Sequence, residues 1–224
     1  MARQVTARKS DEAYAELRRT IMVAELPPNS LIDEKTLIED LGVGRTPFRE
    51  AVLRLAQEGL VTSMGRRGYV VAGATPADLM RAYELRREIE CFTAGLAAER
   101  RTAGDLERFD AFLARIDAEI EAHSDDANWD LETDEEFHTL IAEASDNIFA
   151  QRSLASLYGL SVRSLYVSQV PTTLVKDELA SYRSVLNAIR MRDVEAARAA
   201  MSQHLTVGPI PLRAGLVVRQ KKAR

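Results

Sequence analysis

Polar side chains interrupt the apolar faces of three predicted helices in the C-terminal two-thirds of the chain. Asp134 and His138 lie four residues apart, so they share the inward face of one helix. His204 lies on the apolar face of the last predicted helix, and Tyr182 lies on that of the helix before it. Carboxylate and imidazole are common ligands of divalent metals, so Asp134, His138 and His204 are candidate metal ligands.

The same residues also allow a structure without a metal. A buried hydrogen bond between Asp134 and His138 could be purely structural, and Tyr182 could be a core tyrosine with a paired hydroxyl. An inward aspartate beside two inward histidines is nevertheless costly to bury without a partner, which favours a bound divalent cation. The third histidine, His123, lies among acids at a helix end and is predicted to be at the surface.

A second group of residues indicates an anionic partner. The segment LGVGRTPFREAVLRLAQEGL (41–60) places Arg45, Thr46 and Arg49 in the first turn of a predicted helix. That end of a helix already carries partial positive charge and unpaired N–H groups. Cations there are unfavourable unless an anion approaches from outside, so this stretch predicts contact with a negatively charged molecule.

The elements that position these arginines follow from the flanking sequence. A first helix with one apolar face is predicted to begin after Ser10 as its N-cap and to end at Pro27 and Pro28. A second, short helix covers 33–40, and Gly42 suits its C-terminus.

The third helix is predicted to have Thr46 as its N-cap and Pro47 as its first residue, and to end at Gly59. Two short strands within 60–72 then flank a Gly-Arg-Arg-Gly turn, which is typical of a β-hairpin. Helix, helix, tight turn, helix and hairpin together predict a winged helix-turn-helix, whose recognition helix enters the major groove. The predicted anion is therefore DNA, with Arg66, Arg67 and Gly68 of the wing near the minor groove.

Beyond a short linker, the sequence shows helical periodicity only, and it predicts an all-α bundle of about six helices. These cover 77–100, 104–122, 127–145, 148–168, 174–191 and 193–206. The fold class is thus mainly α, with an N-terminal winged helix-turn-helix that includes a small β-hairpin. The predicted domains are 1–74 for DNA binding and 75–207 for the helical bundle, followed by a basic, flexible tail at 208–224.

Composition and charge limit the class of protein. The chain has 224 residues and a net charge of −4, divided as +1 over 1–74, −10 over 75–207 and +5 over 208–224. A basic-leaning end on an acidic body fits a DNA-binding head on a soluble domain. Cys91 is the only cysteine, so an internal disulfide and a cysteine-based zinc site are excluded. The sequence lacks a signal peptide and a membrane-spanning run, which predicts a cytoplasmic protein.

Residues 13–72 closely resemble the DNA-binding domain of GntR-type bacterial transcription regulators. The motifs that carry the resemblance are the Pro-Pro turn, LGVGRTPFREA, the EGL segment and the Arg-Gly wing. The resemblance implies DNA contacts by Lys35 on the second helix, by Arg45, Thr46 and Arg49, and by the wing around Gly68. Gly44 stands where a serine is common, and Asn29 stands where a glycine is usual.

Residues 77–206 resemble the all-helical effector domain of the FadR subgroup, called FCD. The matching segments are YELRREIE (83–90), DEEFH (134–138), ASDN (144–147) and AIRMRDVEAARAAMSQHL (188–205). The resemblance implies a divalent metal such as zinc, nickel or manganese, held by one Asp and three His and completed by an effector, often a small organic acid. Asp134, His138 and His204 match three of these positions.

Tyr182 occupies the position of the third histidine. A neutral phenol is a poor metal ligand at neutral pH because its pKa is about 10. The site is therefore expected to bind metal weakly, to use Tyr182 as a phenolate, or to bind an acid without metal. Arg86 matches a family position that often faces the cavity, where it could hold a carboxylate bidentately or pair with Glu90 four residues later.

These observations predict a ligand-responsive, homodimeric DNA-binding repressor, not an enzyme. Its head is expected to bind an inverted repeat. The 75–207 domain is expected to bind the effector, with Arg86 and Tyr182 among the contacts, and to provide most of the dimer contact. One alternative is a metal sensor, in which the ion itself is the signal. Another is a metal-dependent enzyme using Asp134, His138 and His204, although the sequence shows no nucleophile motif or general-base partner.

Overall fold

The structure is a computed structural model, and it describes residues 2–73, 75–124, 126–168 and 175–207. The predicted tail at 208–224 lies outside these residues. Among the described residues the helices are α1 (Ala2–Met22), α2 (Glu34–Asp40), α3 (Arg45–Gln57), α4 (Pro76–Arg100), α5 (Ala103–Glu119), α6 (Ala127–Ala144), α7 (Ile148–Ser168), α8 (Val175–Arg190) and α9 (Val194–Val207). Strands β1 (Val61–Ser63) and β2 (Tyr69–Val71) lie between α3 and α4.

The first three helices and the hairpin form the predicted winged helix-turn-helix. On α3, Phe48, Val52 and Leu55 recur every three or four residues, and all three are fully buried against α1. Arg45 and Arg49 lie on the exposed side of the same helix. The packing of α3 thus holds its apolar face inward and leaves its arginines facing solvent.

Two predicted helix starts in this domain are wrong. α1 extends back to Ala2, so Ser10 is a buried residue within the helix and not its N-cap. α3 begins at Arg45 after an extended Gly44, without a side-chain cap, so Thr46 is its second residue and Pro47 its third. Proline is tolerated there because the first N–H groups of a helix lack intrahelical partners.

The wing is a short antiparallel hairpin, as predicted. Val61 pairs with Val71, and a single 3₁₀ turn over Gly65–Arg67 forms the tip. Gly65 and Gly68 have φ angles of +61° and +89°, a region that favours glycine. Asn29, in the usual place of a glycine, also has a positive φ of 65°, which asparagine tolerates.

The C-terminal domain is the predicted bundle of six helices, with each helix present within about three residues of its predicted bounds. α4 is central and packs against α6, α7, α8 and α9. Local caps explain several boundaries. The side chains of Thr75, Thr102 and Asp126 accept hydrogen bonds from the first backbone N–H groups of α4, α5 and α6. Asn147 caps α7 in the same way, as predicted.

α7 also packs against the DNA-binding head. At Gly159 an added Cβ would lie 3.3 Å from Leu60 Cδ2, so glycine permits a close approach of the helix to the wing base. Ser156 donates a hydrogen bond to the Glu58 carbonyl at 2.7 Å, and Tyr158 and Val162 pack on Met22 of α1. One helix therefore contacts both the interior of the bundle and the head.

Among the helices that the structure describes, none is long and apolar enough to span a membrane.

Candidate DNA interface and metal centre

The predicted DNA contacts of helices α2 and α3 lie around one groove. Lys35, Arg45 and Arg49 line this groove, which has a volume of about 310 Å³. Arg49 is 62% exposed, and its nearest acid is Glu34, with Nη2 and Oε2 3.7 Å apart. An exposed arginine this weakly held is free to turn toward a base edge or phosphate.

The remaining predicted DNA contacts are also at the surface. Thr46 is exposed in the first turn of α3, where its hydroxyl is not needed as a cap. Arg66 and Arg67 are exposed at the tip of the wing, and Gly68 follows them. The head therefore exposes two groups of cations, one on α2 and α3 and one on the wing.

The candidate metal ligands meet inside the bundle. Asp134 and His138 lie one turn apart on α6, and His204 reaches them from α9. One ligand atom from each lies within 4.8 Å of the others. The two Nε2 atoms of His138 and His204 are 3.4 Å apart, and His138 Nε2 is 3.5 Å from Asp134 Oδ1. Ligands at about 2.0–2.1 Å from a tetrahedral ion would be about 3.3–3.4 Å apart, so these separations fit zinc-like coordination.

A hydrogen bond to His204 and an ion contact with His138 orient the two imidazoles. Ser181 Oγ donates to the carbonyl of Glu178 at 2.6 Å, so it accepts from Nδ1 of His204, which is 3.0 Å away. Glu90 Oε2 lies against Nδ1 of His138. The hydrogen bond to Ser181 assigns the Nδ1 proton of His204, and the Glu90 carboxylate places a negative charge beside Nδ1 of His138. The Nε2 atoms of the two rings face each other. If both Nε2 atoms carried a lone pair, the two lone pairs would repel each other. The arrangement therefore requires a cation between the rings, either a proton or a metal.

Burial and neighbouring charges shift the pKa values of the two histidines in opposite directions. Burial opposes protonation of His138, but the charges of Glu90 and Asp134 outweigh it and raise the pKa of His138 to about 9. Burial and the charge of His138 lower the pKa of His204 to about 4. Desolvation of Asp134 is likewise outweighed, chiefly by His138, which holds the pKa of that carboxyl well below its usual value. Without a metal, the cluster thus holds a single proton between the rings.

Tyr182 lies beside the cluster as a hydrogen-bond donor. Its hydroxyl is 3.1 Å from Asp134 Oδ1 and 3.2 Å from Glu178 Oε2. Burial, together with the charges of Asp134 and Glu178, raises the pKa of Tyr182 well above its usual value. The phenol therefore stays protonated and orients Asp134, which is unfavourable for the phenolate ligand that the sequence allowed.

Arg86 was predicted either to hold a carboxylate of the effector or to pair with Glu90, and the structure shows the ion pair with Glu90. It is 2% exposed, and its Nε is 2.6 Å from Glu90 Oε1. The rings of Tyr83 and Tyr158 lie 5.0 Å and 4.9 Å from its guanidinium carbon. Through Glu90, Arg86 supports the orientation of His138 and does not line the neighbouring cavity.

Sequence reasoning missed several residues around the cluster. Glu90 appeared only as a partner for Arg86, and Glu178, Ser181 and Tyr158 were not identified. Glu178 had a detectable signal, since it lies four residues before Tyr182 and one turn after the buried Val175. His123, in contrast, lies where predicted, partly exposed near Asp126 and stacked on Trp129.

A cavity of about 250 Å³ opens beside the cluster between α4, α6 and α7. His138, Glu90 and Tyr158 line its buried end. Ala142, Leu154 and Ala155 provide apolar walls, and Gln151 and Arg152 lie toward solvent. Such a space, apolar with a few polar groups, is typical of a small-molecule site.

Both domains match known protein families. Residues 9–71 match the bacterial regulatory proteins of the gntR family, and residues 81–207 match the FCD domain. The HTH-type transcriptional repressor RspR of Escherichia coli is 28% identical over 196 residues, covering 88% of this chain and 85% of RspR. The HTH-type transcriptional repressor GlaR of Escherichia coli is 25% identical over 210 residues, covering 90% of this chain and 94% of GlaR.

A solved structure shares the fold. Escherichia coli McbR/YncC superposes with a TM-score of 0.71 at 20% identity, covering 88% of this chain and 93% of that one. The FCD match alone spans more than half of the chain, and the winged head precedes it. The chain therefore belongs to the GntR family of DNA-binding transcription regulators, with an FCD effector domain.

Proposed function

We propose that this regulator is a homodimeric repressor whose effector domain binds a small organic acid through a divalent metal. The observation that carries the proposal is the pair of opposed Nε2 atoms of His138 and His204 beside the Asp134 carboxylate. Such an arrangement suits a cation. Ser181 holds His204 in the tautomer that a metal requires, and the Glu90 carboxylate lies beside Nδ1 of His138, where it favours the same tautomer. The ion supplies a positive site to which a carboxylate coordinates at the end of the neighbouring cavity.

The proposed DNA contacts are those predicted from the sequence. They are Lys35, Arg45, Thr46 and Arg49 on α2 and α3, and Arg66, Arg67 and Gly68 on the wing. Their exposure supports the proposal, as does the long separation of 3.7 Å between Arg49 Nη2 and its acidic partner, Glu34 Oε2. Each arginine that forks onto a guanine edge would add specificity, whereas Lys35 and the wing cations would contribute mainly to affinity.

Dimer formation is proposed through α4. Leu85, Ile89 and Phe92 recur at four- and three-residue intervals on one side of this helix, and Leu85 and Phe92 are 50% and 43% exposed. A stripe of large apolar side chains facing solvent is typical of a protein interface. Pairing of this face about a two-fold axis would match the symmetry of an inverted-repeat operator.

Native mass spectrometry of the full chain tests the state and the metal together. We expect a dimer that carries one zinc, nickel or manganese ion per subunit, and a His138→Ala variant that remains dimeric but carries none. Metal absent from the wild type after incubation with excess zinc would overturn the metal part of the proposal. Operator release by metal alone, with no organic acid present, would instead identify a metal sensor.

Repression is tested by operator binding. Fluorescence anisotropy with a labelled inverted repeat, selected from random duplexes, should show tight binding by the metal-loaded dimer. A carboxylic acid that occupies the cavity should weaken this binding, because it changes the relative stability of the two arrangements of the heads. Acid binding that leaves operator affinity unchanged would contradict the proposed response.

A further inference from the structure

The charges that line the effector cavity are unequally compensated. Three carboxylates line the cavity, and each is already paired with an arginine that does not line it. Glu90 pairs with Arg86 and His138, Glu135 with Arg18, and Glu143 with Arg108. The acids in the lining are therefore neutralised by the fold itself and leave little net negative charge in the cavity.

Arg152 is the exception in this lining. It lies on α7 toward the open end of the cavity, and it has no ion pair or hydrogen bond with any residue that the structure describes. The neighbouring Gln151 likewise has no hydrogen bond from its amide within the described chain. The open end of the cavity thus carries an uncompensated positive charge and an available amide, separated from His138 by apolar walls.

We infer that the cavity selects an organic acid that bears a second anionic group. The first carboxylate lies at the His138 end, as in the proposed function on which this inference rests. A short apolar segment lies along Ala142, Leu154 and Ala155, and the second anionic group pairs with Arg152. A planar guanidinium matches a carboxylate bidentately, so Arg152 would discriminate a diacid from a monoacid of the same length.

The volume limits the size of such a ligand. At about 250 Å³ the cavity is slightly smaller than most small-molecule sites. A compact aliphatic or aromatic diacid is compatible with this space, whereas a long-chain acyl group would have to extend into solvent past Arg152. Chain length is therefore expected to show an optimum, with shorter diacids unable to reach both ends.

Isothermal titration calorimetry of the zinc-supplemented full chain tests the inference. The probes are pairs of equal length, namely butanoate with succinate, pentanoate with glutarate, hexanoate with adipate, and heptanoate with pimelate. For the best-fitting length we expect the diacid to bind about tenfold or more tightly than the monoacid, which corresponds to one charge-assisted pair. Arg152→Gln should remove this preference, and Arg152→Lys should retain part of it because the charge remains.

The control and the alternative outcomes separate this inference from the proposed function. Arg81→Gln removes the same charge from an exposed arginine that does not line the cavity, and it should leave the preference intact. An equal preference in the wild type and Arg152→Gln, or no preference in the wild type, would overturn the role of Arg152 while acid binding itself stands. If no acid of either series binds, both this inference and the organic-acid effector fail.

Discussion

The hydroxyl of Tyr158 donates to Asp134 Oδ2 across 2.9 Å and so joins α7 to the candidate metal centre. Five residues later on the same helix, Arg163 donates to the carbonyls of Leu60 and Gly73, at 3.2 Å and 2.9 Å. Leu60 precedes β1 and Gly73 follows β2, so both carbonyls lie at the base of the wing. Within five residues, α7 thus contacts both a candidate metal ligand and the base of the wing, which offers a direct physical connection between the effector and DNA sites.

Tyr158→Phe tests the first half of this connection. The variant keeps the ring that packs over Arg86 and on Met22 but removes the hydroxyl, which lies 2.9 Å from Asp134 Oδ2 and 3.0 Å from the Leu131 carbonyl. We expect zinc affinity to fall by about 10-fold, at the low end of the effect of losing an outer-shell partner. Competition with a chromophoric chelator measures the change. Tyr83→Phe is the matched control, since that ring also lies over Arg86; an equal loss in both variants would contradict a specific role for Tyr158.

Arg163→Met tests the second half. Arg163 is 1% exposed, lacks an ion pair within the described chain, and its Nε has no hydrogen-bond partner there. Methionine keeps much of the side-chain volume and removes a buried charge. The lost hydrogen bonds destabilise the fold and the relieved desolvation stabilises it, so the free energy of unfolding should change by less than about 2 kcal/mol. The contact between α7 and the wing should nevertheless weaken, because methionine cannot donate to the Leu60 and Gly73 carbonyls.

Hydrogen exchange at Ala72 reports that loss directly. The Ala72 N–H donates to the same Leu60 carbonyl that Arg163 binds, at 2.9 Å. In Arg163→Met this amide should exchange faster, while amides in the middle of α9 keep their wild-type protection. Operator release by the effector should become weaker at the same time. Unchanged exchange at Ala72 would show that Arg163 does not hold the wing.

A second contact between head and bundle is the ion pair of Arg18 and Glu135. Both guanidinium Nη atoms of Arg18 on α1 approach the Glu135 carboxylate on α6, next to Asp134. The side chains are only 14% and 29% exposed, so this pair should be stronger than a typical surface pair. We expect a double-mutant cycle with Arg18→Gln and Glu135→Gln to give a coupling free energy of about 1–2 kcal/mol in urea unfolding.

The exposed pair of Arg19 and Glu25 provides the comparison. Its side chains are 36% and 54% exposed, so the corresponding cycle should give a clearly smaller coupling free energy. Equal couplings in the two cycles would mean that the Arg18–Glu135 pair contributes no more to holding the domains together than a solvated pair does.

The sequence predicts the elements and the inward residues of this fold better than it predicts their partners. Asp134, His138 and His204 were identified because helical periodicity shows which side chains face inward. Glu90 was not assigned to His138, since the crossing of α4 and α6 joins residues 48 positions apart and leaves no local pattern. The N-cap of α3 was misplaced because Gly44, which lacks a capping side chain, took an extended conformation that propensity alone does not specify.

Arg49→Ala tests the recognition helix. Arg49 lies off the buried stripe of Phe48, Val52 and Leu55, so the substitution should leave the melting temperature nearly unchanged. Loss of one bidentate base contact should weaken specific operator binding by about 1–3 kcal/mol, with little effect on random DNA. Anisotropy titrations at matched salt measure both. Arg54→Ala, at an exposed arginine paired with Asp11, is the control; equal operator affinity in both variants would argue against the proposed docking.

Tyr182→His tests the metal centre at the position where this chain departs from its family. The Tyr182 hydroxyl lies 3.1 Å from Asp134 Oδ1, and its ring centroid is 5.3 Å from that of His204, so an imidazole here would lie beside the other ligands. A fourth nitrogen or oxygen donor completes a tetrahedral zinc site, and we expect zinc affinity to rise at least tenfold. Tyr182→Phe, which removes the hydroxyl and adds no ligand, should not raise it. Elemental analysis and chelator competition on the dialysed proteins decide between these outcomes. Equal zinc affinity in Tyr182→His and Tyr182→Phe would mean that position 182 does not face a bound ion. If no variant binds zinc, the Asp134–His138–His204 cluster is not a metal site, and the two histidines share a proton instead.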